Sequence, residues 1–149
     1  MSDAQLRAGV DGVPVPVFET TAFTTPPPLD RATVAIVTTA ALHTAHQQGW
    51  RPQEQSFRVL DADDRDLRLG HWSPNFDRVG LTADLNVVYP LDRLTEMAAD
   101  GMIGAVAPRH LSFLGAQDDT MTTIWLDTGP AAARLLKQDG ADVVLLTPV

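Results

Sequence analysis

The chain has 149 residues, 44% of them hydrophobic and 20% charged, a balance that favours one domain with a single sizeable core and excludes a disordered polymer. Its formal net charge is −8, and Lys137 is the one lysine among 11 scattered basic residues, so the clustered cationic surface that a phosphate backbone attracts is missing. There is no cysteine, which excludes disulfides, thiolate metal sites and thiol redox chemistry by these residues. No apolar run reaches the ~18 residues that cross a bilayer, and the start has no basic region followed by an apolar one; the expected location is the cytoplasm.

Residues 1–28 read as an irregular arm, because Pro14, Pro16 and Pro26-Pro27-Pro28 cannot sit inside a helix or a central strand. Residues 29–149 read as one α/β domain with a largely parallel sheet flanked by helices. Thr33–Val37 is a short β-branched run suited to a strand buried on both faces. Thr38 and Thr39 follow, and 40–43 begins either a helix or a tight loop. Ser56–Leu60 is the next strand, 61–66 an acidic turn, and Gly70–Gly80 a loop rich in functional side chains. Leu91, Leu94, Met97 and Ala98 make an apolar stripe that predicts a helix from Pro90 to Asp100, closed by Gly101. Ile103–Ala107 predicts a strand with Arg109 and His110 at its exit, and Thr122–Leu126 a further β segment. A last helix is expected from Pro130 to Asp139, closed by Gly140. Val143–Leu146 reads as the clearest buried strand in the chain.

In open α/β sheets, ligands bind beyond the carboxyl ends of the strands. That rule selects Thr38 and Thr39, whose hydroxyls can hold a carboxylate or amide. It also selects Arg109, which can pair bidentately with an anion, and His110, which can move a proton near neutral pH. Asp77 in the long loop is a candidate for polar orientation. Each has a structural alternative: the threonines satisfy backbone groups, Arg109 and Asp77 sit in ion pairs, and His110 is a core histidine. His43 and His46 lack an obvious third ligand, so no metal site is expected. No phosphate-cradling loop, dinucleotide fingerprint or nucleophile elbow is present.

Several irregular segments nonetheless match a known pattern in order. They are VAIVTTAALH (Val34 to His43), FRVL (Phe57 to Leu60), His71, Phe76-Asp77-Arg78, the long stretch from Asp84 to Ala116, and LLKQDGADVVLLTPV at the end. Together they resemble the selenoprotein B family of glycine, betaine, sarcosine and D-proline reductases, over residues 29 to 149. The resemblance implies reductive cleavage of a carbon–nitrogen bond in a small amino acid or amine. It further implies a selenocysteine or cysteine nucleophile, a pyruvoyl group on a partner subunit, other reductase subunits in an oligomer and a thioredoxin-type electron donor. The family's redox motif follows a strand resembling VVLLTPV, so the expectation is a reading frame that continues through a selenocysteine codon after Val149. By itself, without selenocysteine or cysteine, this stretch is expected to be inactive. The alternative is a binding or scaffold subunit that has lost the redox chemistry.

Overall fold

The computed structural model describes residues 3–11, 17, 19–21, 23–73, 78–117 and 120–149. Within them the fold is α/β. Strand β1 (Thr33–Thr38) lies at the centre, as its apolar, β-branched sequence predicts. Strand β7 (Val143–Thr147) runs parallel to it on one side, in register from Val34↔Val143 to Thr38↔Thr147. On the other side lie the two-residue β5 (Ala105–Val106) and then β6 (Arg109–Phe113), both parallel to β1. Strand β3 (Phe57–Asp61) closes that side, antiparallel to β6. A small ribbon of β2 (Leu42–Thr44) and β4 (Leu67–Leu69) stands apart, so 40–43 opens neither a helix nor a simple loop. Ala41, with φ 55°, makes the turn into β2.

Each face of the sheet has its own core. On one, Val34, Ile36 and Leu60 meet Leu91 and Leu94 of helix α3 (Leu91–Ala99), whose apolar stripe falls where helical spacing predicts. Tyr89 cannot cap that helix; the Asn86 side-chain carbonyl accepts the Asp92 N–H at 3.2 Å instead. On the other face, Ala35, Leu111 and Phe113 meet Ala132 and Leu136 of helix α4 (Gly129–Gln138). Gly101 and Gly140 follow α3 and α4 with φ of 71° and 74°, the left-handed conformation expected of them. The short helix α2 (Arg78–Ala83) adds Leu81 to the first core. No helix among the described residues is long and apolar enough to cross a membrane.

Four expectations are corrected. Residues 3–11 are helical (α1, Asp3–Asp11), since the prolines that argue for an irregular arm begin only at Pro14. Arg109 and His110 do not lie at a strand exit: the chain kinks at Ala107-Pro108 and they open β6. Thr122–Leu126 is helical, not β. Gln55 supplies the reason, its Oε1 accepting the Thr123 and Ile124 N–H groups at 3.0 and 3.3 Å, a helix cap reached across 68 residues. The helix therefore starts before Pro130. Because Pro130 has no N–H to donate, the chain widens into a π-helical turn over Ile124–Thr128, closed by the Gly129 N–H on the Ile124 carbonyl. A Cβ on Gly129 would collide with that carbonyl oxygen, so the turn requires glycine.

The fourth correction concerns β7. The strand forms, but it is not buried: Val144, Leu145 and Leu146 are 40%, 37% and 66% exposed. It pairs with β1 alone among the described strands. An apolar run reports a preference for burial; whether a neighbour is there to provide it is a separate matter.

Candidate functional site

The carboxyl ends of β1, β4, β6 and β7 converge on one corner. Thr38 is fully buried there. Its hydroxyl donates to the Thr147 carbonyl at 3.3 Å and accepts the Ala40 N–H at 3.2 Å. Its hydrogen bonds thus hold β7 to β1 and turn the chain out of the sheet. Thr39 is half-buried and grips Val149. Its Oγ1 accepts the Val149 N–H at 2.8 Å and donates to the Val149 carbonyl at 3.1 Å. The Thr39 carbonyl in turn accepts the Gly115 N–H at 2.8 Å.

Gly115 shows how closely these segments pack. A Cβ there would lie 2.5 Å from His71 Nε2, 2.8 Å from the Val149 carbonyl oxygen and 3.1 Å from that of Thr39. His71 is 6% exposed. Its Nδ1 accepts the Ser73 N–H at 3.2 Å, which in the neutral ring leaves the proton on Nε2, the atom nearest Gly115. Burial holds the imidazole below its ordinary pKa, and the nearby Arg78 guanidinium adds to this. Arg78 also donates to the His71 carbonyl at 2.8 Å.

A groove of about 720 Å³ opens beside this corner, between the second core face and the π-helical turn. Thr39, Gly115 and Gln117 stand at one end. Val37, Phe113, Ile124, Trp125, Leu136 and Val144 supply apolar walls. Among the described lining residues none is ionisable. The Gln117 amide is fixed by donating to the Glu54 and Leu114 carbonyls at 2.9 and 3.0 Å. A mostly apolar cleft of this size at the carboxyl ends of parallel strands has the form of a small-molecule site.

Of the described residues in the sequence-derived set, only the threonines reach this corner. Arg109 begins β6, three residues upstream of the Ser112 that pairs with Thr38, so about 10 Å of strand separates it from the corner. Its guanidinium is engaged bidentately by Asp139 after α4, with Nε at 2.9 Å from one carboxylate oxygen and Nη2 at 2.5 Å from the other. His110 is fully buried and points to the face opposite the groove, its ring edge-on to Tyr89. Its Nδ1 accepts the Ile36 N–H at 3.0 Å, bridging the ladder where β5 stops and β6 begins. Burial pushes its pKa down to about 4. Asp77 lies outside the described residues. Among those residues, no cluster of three or more His, Asp or Glu could hold a metal ion.

Sequence reasoning placed His71 in a loop rich in functional side chains without giving it a role, and it singled out none of Gly115, Gln117 and Trp125. The position of His71 just past the end of β4 carries no local signal, because that ribbon was not foreseen.

One comparison with known proteins bears on these observations. Over 134 residues, 83% of its length, the chain is 35% identical to the D-proline reductase subunit gamma of Acetoanaerobium sticklandii. The alignment covers 54% of that protein, so the chain spans about half the length of its relative. No protein-family model matches the chain. No solved structure matches it either. The chain resembles the proline/glycine reductase family across most of its residues.

Proposed function

We propose that the chain is the amino-terminal part of a selenoprotein B-like reductase subunit that cleaves a carbon–nitrogen bond of a small amino acid or amine. The observation that carries this reading is the 35% identity over 134 residues to a protein named as a D-proline reductase subunit. The groove supports it, because an uncharged cleft at the carboxyl ends of the strands suits a compact substrate with an aliphatic body. Thr39, which lines the groove, is the ligand-facing member of the set. Thr38 and His110 serve the same site by fixing the strands around it, and Arg109 fixes the start of β6 to Asp139 at the end of α4.

Such chemistry needs a polarisable nucleophile with a low pKa, and threonine cannot replace it. In this reading a selenocysteine or cysteine outside these 149 residues supplies it. A dithiol donor then restores it, and a partner subunit carries the pyruvoyl group that activates the substrate. The test is the intact mass of the native protein from its source grown with selenium, followed by consumption of D-proline, glycine, betaine or sarcosine with a dithiol reductant. A selenium-bearing species heavier than 16.1 kDa that consumes one of these supports the reading. A heavier selenoprotein that consumes none refutes it.

The exposed apolar strand β7 favours a second reading, a non-catalytic binding subunit that docks a partner along this edge. A selenium-free native species at 16.1 kDa that sediments as a stable complex would select it.

A further inference from the structure

The loop that leaves β6 is held in a conformation that its own residues do not favour. Ala116 has φ 53°, a left-handed backbone that an alanine adopts only where its surroundings impose it. Hydrogen bonds on both sides of it do so. The Gly115 N–H donates to the Thr39 carbonyl at 2.8 Å, and Gln117 Nε2 donates to the Leu114 and Glu54 carbonyls at 3.0 and 2.9 Å. The main-chain N–H groups of Ala116 and Gln117 themselves find no acceptor among the described residues. Ala116 is exposed, and both residues line the 720 Å³ groove. They follow the carboxyl end of β6, an interior strand parallel to β1, where α/β sheets take their ligands. Successive main-chain N–H groups in a turn are the donors of an anion-binding concavity, and a left-handed residue is one half of its usual backbone pattern. No described wall of the groove supplies a cation, and Thr39 Oγ1 is already engaged at Val149. The positive ends of these two N–H dipoles are therefore what the groove offers an anion.

We propose that the Ala116 and Gln117 N–H groups seat the carboxylate of an aliphatic amino-acid zwitterion whose carbon skeleton lies in the groove. That this zwitterion is the substrate rests on the reductase reading above; the seat itself does not. The apolar walls, among them Val37, Phe113, Ile124 and Leu136, suit the skeleton. The exposure of Ala116 lets the carboxylate keep part of its water while it accepts the two hydrogen bonds. The two residues that follow Gln117 are Asp118 and Asp119, and their charge disfavours a bare anion. A zwitterion brings its own ammonium and so meets less repulsion. A carboxamide in place of the carboxylate would lose the charge that strengthens both bonds, so the seat discriminates against it. The Gln117 side chain is a positioning group: its two hydrogen bonds hold the loop in shape before the ligand arrives, and binding does not have to order it.

Amide NMR spectra of the 149-residue chain test the seat directly. The ligands are D-proline, glycine, betaine and sarcosine, with L-valine and L-leucine as zwitterions outside the reductase reading. At least one of the first four is expected to move the Ala116 and Gln117 amide protons downfield in a saturable way. Its carboxamide analogue, at the same concentration, is expected to move them about tenfold less. Gln117→Leu, which frees the loop, is expected to raise the dissociation constant of that ligand about tenfold, with the amide shifts of β1 unchanged. If none of the six zwitterions moves the two amides, the seat is overturned. It is equally overturned if the carboxamide moves them as far as the acid. If L-valine or L-leucine moves them and none of the other four does, the seat stands and the reductase reading fails. An unchanged dissociation constant in Gln117→Leu overturns the positioning role of that side chain. Should Gln117→Leu not fold, Gln117→Met takes its place under the same criterion.

Discussion

Neutral His110 is built into the sheet, and acid should therefore weaken the fold in a defined window. Its Nδ1 is the acceptor for the Ile36 N–H, and the ring is fully buried against Tyr89. Protonation would turn that acceptor into a donor facing a donor, inside a site that removes water from the charge. Burial accordingly lowers the pKa from 6.5 to about 4. Because the folded-state value lies below the unfolded one, the unfolded chain binds the proton first. The stabilisation is complete above about pH 6.5, is lost progressively as pH falls, and is exhausted below about pH 4. A gap of this size corresponds to about 3 kcal/mol in all, of which about 2 kcal/mol should disappear between about pH 7 and about pH 5. Urea unfolding of wild type and His110→Asn at the two pH values measures it. The asparagine of that variant places an amide oxygen near the position of Nδ1 and does not titrate, and the subtraction cancels the carboxylates common to both. The variant starts lower because it fills less of the core, but it should lose about 2 kcal/mol less than wild type over this interval. Equal losses in the two proteins would refute the assignment of His110 as the neutral bridge of the ladder.

Three further substitutions test other parts of the framework. Gly115→Ala would drive a methyl group against His71 Nε2 and the Val149 oxygen, and is expected to cost about 1–3 kcal/mol in chemical denaturation. Arg109→Ala would leave the Asp139 carboxylate, 8% exposed, without its bidentate partner. A loss of stability is expected in chemical denaturation, with ligand binding in the distant groove unaltered by calorimetry. Ser112→Ala removes the hydroxyl that accepts the Leu42 N–H at 2.7 Å in a fully buried setting. The orphaned amide should cost about 1–3 kcal/mol and raise hydrogen exchange in the β2–β4 ribbon before the rest of the sheet.

What could be read from the chain, and what could not, divides by the range of the interactions involved. Helix α3 was legible because its stripe of Leu91, Leu94, Met97 and Ala98 and its closing Gly101 are signals within one segment. Strands β1 and β7 were legible as strands for the same reason, and Thr38 and Thr39 followed from the general rule about strand ends. The helical turn at Ile124–Thr128 was not, because the local β-branched residues argue for a strand while its cap, Gln55, comes from far back in the chain. His110 was legible as a residue to notice but not as a ladder bridge, since the kink at Ala107-Pro108 that creates the missing acceptor leaves no mark on the histidine itself. Arg109 was misplaced along the strand for the same reason.

The distribution of charge around the groove constrains how it could select a ligand. Arg109, the basic residue that the sequence offers as an anion anchor, is neutralised by Asp139 away from the corner, and the described groove walls carry no charge. A zwitterion placed there would find contacts for its carbon skeleton and a few hydroxyl and amide groups, but no charged partner for its carboxylate. Full dehydration of an unpaired carboxylate is costly, so the carboxylate of such a ligand must stay on the open side of the groove or meet a cation from outside the described walls. A protonated amine faces a gentler situation, since the whole chain, at −8, draws cations toward it. On the reductase reading, then, the aliphatic part of the substrate enters the groove and its charged end remains near Thr39 and Val149. The bond to be cleaved would lie at the boundary between the two, beside the Thr39 hydroxyl that is bonded to Val149.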